Sequence, residues 1–332
     1  MNLKIAVVIL NWNGRNLLDK FLPSVVKHSA KAEIHLADNA STDDSVDFVK
    51  RNFPQIKIIQ NFTNGGYAKG YNDALKNIDS DIFCLLNSDV EVTSNWLEPI
   101  ISEFESDSET AIIQPKILDF KDKNCFEYAG AAGGFIDKFA YPFCRGRIFN
   151  SIEKDEGQYD NNLDIFWASG ACLFIRSTVF FDLNGFDEKY FSHFEEIDLC
   201  WRAFNSGYRT QYIGGSTVYH LGGGTLNKVS AKKTYLNFRN SLFTVTKNAE
   251  GVLFLRILIR LILDGIAAIR FLLQLNFNHF SSVLQAHFSF YWNLPYLLKE
   301  RKKLPNKKHN YFKISSVVCS YFIKKNTKFS EL

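Results

Sequence analysis

The sequence predicts an α/β sandwich on a mostly parallel central sheet. Along the first third, short apolar runs alternate with amphipathic stretches, as strands joined by crossover helices do. Three polar clusters, Asn11-Trp12-Asn13-Gly14, Asp38-Asn39-Ala40-Ser41 and Asn87-Ser88-Asp89, each close an apolar run. They therefore fall at strand C-terminal ends, where open α/β sheets bind ligands. With 332 residues, 46% hydrophobic and 22% charged, the chain can bury a full core and is neither disordered nor collagen-like.

The elements follow in order. Ile5–Leu10 reads as a buried strand, Leu17–His28 as a helix and Glu33–Ala37 as a second strand. Ser41–Arg51 reads as a helix with Ser41 or Thr42 as N-cap. Lys57–Ile59 and Ile82–Leu86 are strands flanking a helix over Tyr67–Asn77, and Trp96–Glu105 is helical. Residues 119–163 read as irregular loops with one hairpin. Ile165–Ile175 reads as a strand interrupted at Ser169-Gly170, His193–Asn205 as a helix, Tyr208–Ile213 and Thr217–His220 as two short strands, and Ala231–Asn248 as a helix.

The net charge of +4 is too small to argue by itself for nucleic acid, which is not expected as a partner, and it is unevenly spread. Residues 250–332 carry 13 Lys/Arg against 4 Asp/Glu. Six scattered cysteines without a Cys-x-x-Cys pair indicate reduced thiols in a cytosolic compartment, not a disulfide frame or a zinc site. The N-terminal apolar run is too short for a signal peptide.

Several clusters have chemistry to offer. Asp89 ends a strand in a loop and offers hard oxygen ligands to Mg²⁺ or Mn²⁺ beside a diphosphate, against the plain alternative of an Asx turn. Asp38 is left over once Ser41 or Thr42 caps the next helix, which leaves it to accept from a nucleoside. The run from Asn64 to Asn72 (NGGYAKGYN) is a glycine-rich turn feeding a helix, a place where a base or diphosphate can approach backbone. It is neither a dinucleotide fingerprint nor a P-loop, so an oxidoreductase reading lacks its signature. Glu195, Glu196 and Asp198 open a helix; Asp198 pairs most simply with Arg202 at i+4, leaving a glutamate free to take a proton. His220 precedes three glycines, an arrangement for a metal or phosphate contact under a mobile lid.

In this order, VVILNWNG, DNASTDDS, NGGYAKGYN, LLNSDVEV, WASGACLFIR, GFDEKYFSHFEEIDLCWR and VYHLGGG resemble the motif series of the family 2 glycosyltransferases of GT-A fold, in particular the rhamnosyltransferase-like branch. The resemblance covers roughly residues 3 to 245. It implies a nucleotide-sugar donor, a divalent cation (Mg²⁺ or Mn²⁺) and an inverting transfer. By resemblance, Asn11, Asn13, Asp38, Asn64, Gly66, Gly70 and Asn72 border the nucleotide, with Asn87 and Ser88 beside them. Asp89 and His220 are implied at the metal or diphosphate. Trp167, Ser169, Gly170 and Ala171 border donor sugar and acceptor, and Glu196 is the catalytic base with Glu195 as alternative. Asn87 stands where the fuller motif has an acid, which weakens charge compensation for the cation.

The expected division is a catalytic domain over 1–249 and a basic, aromatic region over 250–332. Val252–Leu275 is too charged to span a bilayer. Arg256, Arg260, Asp264 and Arg270 form one stripe in an otherwise apolar helix, which predicts an amphipathic helix in a membrane interface, or else one docked on the core. Aromatics and a polybasic run follow, suited to anionic lipids. The expected function is sugar transfer to a lipid-linked glycan, peripherally at the cytoplasmic face of the cell membrane, in cell-surface polysaccharide synthesis. The alternative is a non-catalytic nucleotide-sugar-binding or scaffold subunit.

Overall fold

The computed structural model describes residues 3–222, 230–304 and 308–332. The first half follows the alternation read from the sequence: β1 (Ile5–Asn11), α1 (Arg15–His28), β2 (Glu33–Asp38), α2 (Ser45–Asn52), β3 (Lys57–Gln60), α3 (Gly66–Leu75), β4 (Ile82–Asn87), β5 (Val90–Val92), α4 (Glu98–Ser106) and β6 (Thr110–Asp119). Then come β7 (Gly134–Ile136), β8 (Pro142–Cys144), β9 (Arg147–Ile148), β10 (Ser151–Ile152), β11 (Leu163–Ile165), β12 (Cys172–Arg176), α5 (Ser177–Asp182), α6 (Glu195–Asn205) and β13 (Arg209–His220). Three long helices close the order: α7 (Ala231–Asn248), α8 (Leu253–Leu273) and α9 (Phe277–Lys303).

The main sheet runs β11-β13-β6-β12-β4-β1-β2-β3, with β5 paired to β13. β1, β2, β3, β4, β6 and β13 run one way; β5, β11 and β12 run against them. The central strand β1 is buried on both faces, so it reads as continuous apolar sequence rather than an alternation. Ala6 and Val8 face a core layer formed with α3, α5 and α6, while Ile5, Val7 and Ile9 face one formed with α1, α2 and α4. The result is a three-layer sandwich.

Four expectations are corrected. The second helix begins at Ser45, and neither Ser41 nor Thr42 caps it. Residues 119–163 contain a four-stranded antiparallel sheet, β10-β9-β8-β7, rather than one hairpin. Residues 163–176 form two strands in different parts of the main sheet, with the Trp167–Ala171 segment crossing between them. The two strands expected before His220 are one, because the Gly214-Gly215-Ser216 bulge lets β13 keep its pairing with β6 on both sides.

Residues 250–332 are packed onto the body. Leu242 and Phe243 of α7 share a small core with Phe290 and Leu297 of α9. The terminal segment returns to the small sheet, where Val317 N–H donates to Asp137 at 3.0 Å and Phe329 packs on Phe135. Among the described residues no helix is long and apolar enough to cross a membrane.

Candidate active site

The parallel strands end together, so their polar loops converge. Asp38 is fully buried and saturated. Its Oδ1 accepts from Asn11 Nδ2 (3.0 Å) and Ser41 Oγ (2.5 Å), and its Oδ2 from Ser41 N (2.9 Å) and Gln60 Nε2 (2.6 Å). Ser41 is thus Asp38's partner rather than a helix cap, which removes the reason for reading Asp38 as left over. To accept from a base, Asp38 must lose a donor. Asn13, exposed and at φ 51°, binds the Thr42 amide through Oδ1 at 2.7 Å and shapes the same loop. Asn11 Oδ1 is buried without a hydrogen-bond partner.

In the glycine-rich turn, Asn64 Oδ1 accepts from Gly66 N–H at 3.0 Å. Gly66 and Gly70 are small for packing reasons. Gly66 sits at φ 76°, and a Cβ there would lie 2.5 Å from the Phe191 carbonyl. A Cβ on Gly70 would meet the Asn39 amide at 2.6 Å. Gly66→Ala is therefore expected to destabilise the protein by at least about 1 kcal/mol, measured by denaturant titration. Asn72 directs its amide to Phe186, donating to the carbonyl at 2.8 Å and accepting from N–H at 2.9 Å.

Asp89 and His220 are brought together by strand register. β5 pairs antiparallel with β13 so that His220 lies opposite Val90, and His220 Nε2 comes 3.2 Å from Asp89 Oδ1. On the imidazole's other side, Nδ1 is 3.3 Å from Glu127 Oε1. Burial alone would depress His220, but Glu127 and Asp89 outweigh it and lift the imidazole to about 10. Burial would also raise Glu127, yet His220, the Ala129 amide and Arg147 hold it below the usual carboxylate range. Glu127 carried no motif; it lies in a stretch read as loop, and only tertiary folding places it here.

No group of three or more His, Cys, Asp or Glu able to hold a metal occurs among the described residues. Asp89 and His220 still fit a divalent cation that draws its other ligands from a diphosphate and water, as Mg²⁺ and Mn²⁺ commonly do. Their mutual contact is a proton's place that such a cation would take. The glycines after Gly222, invoked as a lid, lie outside the described residues.

The Trp167–Ala171 segment ties these strand ends to the glutamates. Trp167 is buried, its Nε1 donating to the Phe135 carbonyl at 2.9 Å. Ser169 N–H donates to Gln114 Oε1 at 2.8 Å. The Ala171 carbonyl accepts from Asn87 N–H at 3.0 Å, beside Ser88 and Asp89. The Gly170 carbonyl accepts from Tyr67 Oη at 2.9 Å. Burial first, and then the neighbouring Tyr71, Glu195 and Glu196, push the Tyr67 phenol up, and Ala168 N–H donates to Cys200 Sγ at 3.5 Å, so the segment packs on the helix that the glutamates open.

Glu195 and Glu196 open α6 after a strained turn. Phe191, His193 and Phe194 all have positive φ (64°, 69° and 72°), an arrangement that persists only when the surroundings over-determine it. Here Asn240 of α7 donates to the carbonyls of Ser192 (2.9 Å) and His193 (2.7 Å), and Tyr67 N–H binds the Phe191 carbonyl (2.8 Å). One carboxylate oxygen of each glutamate is buried without a hydrogen-bond partner. Burial, reinforced by Glu196, holds Glu195 well above the carboxylate range. Glu196 is only half-buried, and burial, opposed by backbone donors, takes it to about 7. Asp198 is excluded from proton transfer by Arg202 (2.8 Å), Lys247 (3.0 Å) and Asn248 (2.7 Å).

The model of the glycosyl transferase family 2 matches residues 6–179, just over half of the chain. The chain belongs to this family. The matched span of the glycosyltransferase includes Asp38, Asp89 and the 167–171 segment, and ends before Glu195. Among curated relatives, the N-acetylglucosaminyl-diphospho-decaprenol L-rhamnosyltransferase of Mycobacterium tuberculosis is 22% identical over 65% of this chain and 75% of its own. The rhamnosyltransferase WbbL of Escherichia coli K12 is 23% identical over 65% of this chain and 83% of its own. Among solved structures, GalNAc-T7 with UDP, GalNAc and Mn²⁺ superposes with a TM-score of 0.58 at 17% identity, over 75% of this glycosyltransferase and 48% of that chain. The fold is GT-A-like, and the protein is a glycosyltransferase similar to curated rhamnosyltransferases.

Proposed function

We propose that this glycosyltransferase inverts the anomeric centre of a nucleoside-diphosphate sugar as it passes the sugar to a hydroxyl of a lipid-linked glycan. The donor favoured by the relatives is dTDP-rhamnose, with a UDP-sugar next. The observation that carries the proposal is Glu196: a partly exposed carboxyl, poised near neutrality, at the start of the helix that packs on the segment holding the strand end of Asp89. Glu196 accepts the acceptor's hydroxyl proton while that oxygen bonds to the anomeric carbon. The carbon–oxygen bond to the diphosphate breaks on the opposite face, and its electron pair leaves with the diphosphate. A divalent cation held by Asp89 and His220 would supply charge stabilisation to that leaving group. Glu127 keeps the His220 ring oriented. The loop shaped by Asn11, Asn13 and Asp38 and the Asn64–Gly70 turn border the nucleotide. Residues 1–249 carry this chemistry, and 250–332 hold the enzyme peripherally at the cytoplasmic face of the membrane, where a lipid-linked acceptor is found.

Thermal-shift titration with dTDP-rhamnose and UDP-sugars, each with and without Mn²⁺ or Mg²⁺, tests the reading. The true donor stabilises the fold by about 2.7 kcal/mol at a hundredfold excess over Kd. EDTA, or Asp89→Asn, is expected to remove most of the metal-dependent part. A protein whose melting is unmoved by every donor would overturn the proposal.

A further inference from the structure

The sequence left α8 as an amphipathic helix in a membrane interface or one docked on the core. Two of its striped charges, Arg260 and Asp264, are 2% and 1% exposed and clamp the helix to the body. Arg260 donates to the Phe139 carbonyl at 2.7 Å and to Ser241 Oγ at 2.5 Å, and Asp264 accepts from Tyr141 Oη at 3.0 Å. The outward face is apolar. Leu255, Leu258, Ile262, Ile266 and Ile269 recur at spacings of three and four, the periodicity of one helix face. All five are exposed, Ile262 and Ile266 by 55% and 59%. A row this long exceeds the apolar patch an ordinary soluble surface leaves open.

Charge decides what covers it. The exposed charges of the α8–α9 hairpin include Arg270, Lys299 and Lys302, and its acids are turned away: Asp264 is buried and Glu300 pairs with Lys303 at 2.7 Å. Two copies meeting across this face would bring bases against bases, and the row has no polar group to register a protein partner. We infer that the outward face of α8 inserts among the lipids of a bilayer bearing anionic headgroups, with the basic residues of the hairpin at headgroup level. Arg260 and Asp264 thus anchor the helix to the protein, and the apolar stripe anchors the protein to the membrane. This deepens the membrane part of the proposed function and does not depend on the catalytic assignment.

The test is co-sedimentation of the full chain with vesicles of phosphatidylcholine alone and of phosphatidylcholine mixed with phosphatidylglycerol. Binding is expected to be stronger to the mixture. Ile262→Asp with Ile266→Asp is expected to weaken it roughly 100-fold, with the melting temperature and donor binding unchanged because both side chains point outward. Lys299→Glu with Lys302→Glu should cost roughly fivefold per lysine, and only on the anionic vesicles. Absence of binding to either vesicle, binding that survives the double aspartate variant, or a solution dimer that this variant dissociates would overturn the inference. Loss of donor binding in the unmodified chain would instead sink the catalytic reading and leave this one standing.

Discussion

Glu196→Gln is expected to slow sugar transfer by about 10²–10⁴-fold while leaving donor-induced thermal stabilisation intact. Gln keeps the size and one acceptor oxygen but cannot take a proton. The effect should fall on kcat and kcat/KM together, because the proton moves only in the transition state. The pH profile provides a second readout. Glu196 works as its carboxylate, so with a value of about 7 the rate should rise with pH through neutrality and level off above it. In Glu196→Gln the residual rate should lack that rising limb. Glu195→Gln serves as the contrast. Burial and the neighbouring Glu196 raise Glu195, which disfavours its carboxylate, so Glu195→Gln should change the rate less than Glu196→Gln does. If Glu195→Gln proves the more damaging, the base is Glu195. If neither matters, the base lies elsewhere in the site; a parent protein that binds donor but transfers no sugar would leave the scaffold alternative.

The strand–helix alternation was legible because β1 and β4 are buried on both faces and announce themselves as apolar runs. The site was legible where a motif sits at a strand end, as at Asp89, and where a helix start concentrates acids, as at Glu195-Glu196. It was illegible where contacts are long-range. Glu127 reaches His220 from a loop far along the chain, Asn240 braces the Phe191–Phe194 turn from a helix beyond the motifs, and Asn72, read with the nucleotide loop, directs its amide to Phe186. The α8 stripe was left open for a different reason. Periodicity shows that charges share a face, but not whether partners such as Tyr141 and Ser241 await them inside.

Long-range contacts of the same kind make Lys247 costly to remove. Lys247→Met is expected to destabilise the protein by about 3–5 kcal/mol. The ammonium is buried between Asp187 (2.6 Å) and Asp198 (3.0 Å), and Asp187 also accepts from Tyr296 of α9 at 2.9 Å. A methionine fills the stem's volume but takes the ammonium from Asp187 and leaves Asp198 with Arg202 as its remaining cation. Burial would raise Asp198, yet Lys247, Arg202 and Asn248 together bring it down to about 2, against an ordinary value of 3.8. A depressed carboxyl contributes stability that is complete above the ordinary value and lost as pH falls through the folded one, here roughly 2 kcal/mol. Denaturant titrations should therefore show this acid-side loss in the parent protein and a smaller one in Lys247→Met, where Asp198 lies nearer its ordinary value. The damage should also reach catalysis, since Asp198 lies one turn below Glu195 and Lys247 holds α6 to the helix that carries Asn240. A cost below about 1 kcal/mol, as for an exposed ion pair, would show that the cluster does not hold α6 to α7, and the strain at the Phe191–Phe194 turn would then have to be carried by Asn240 and the amides of α3 alone.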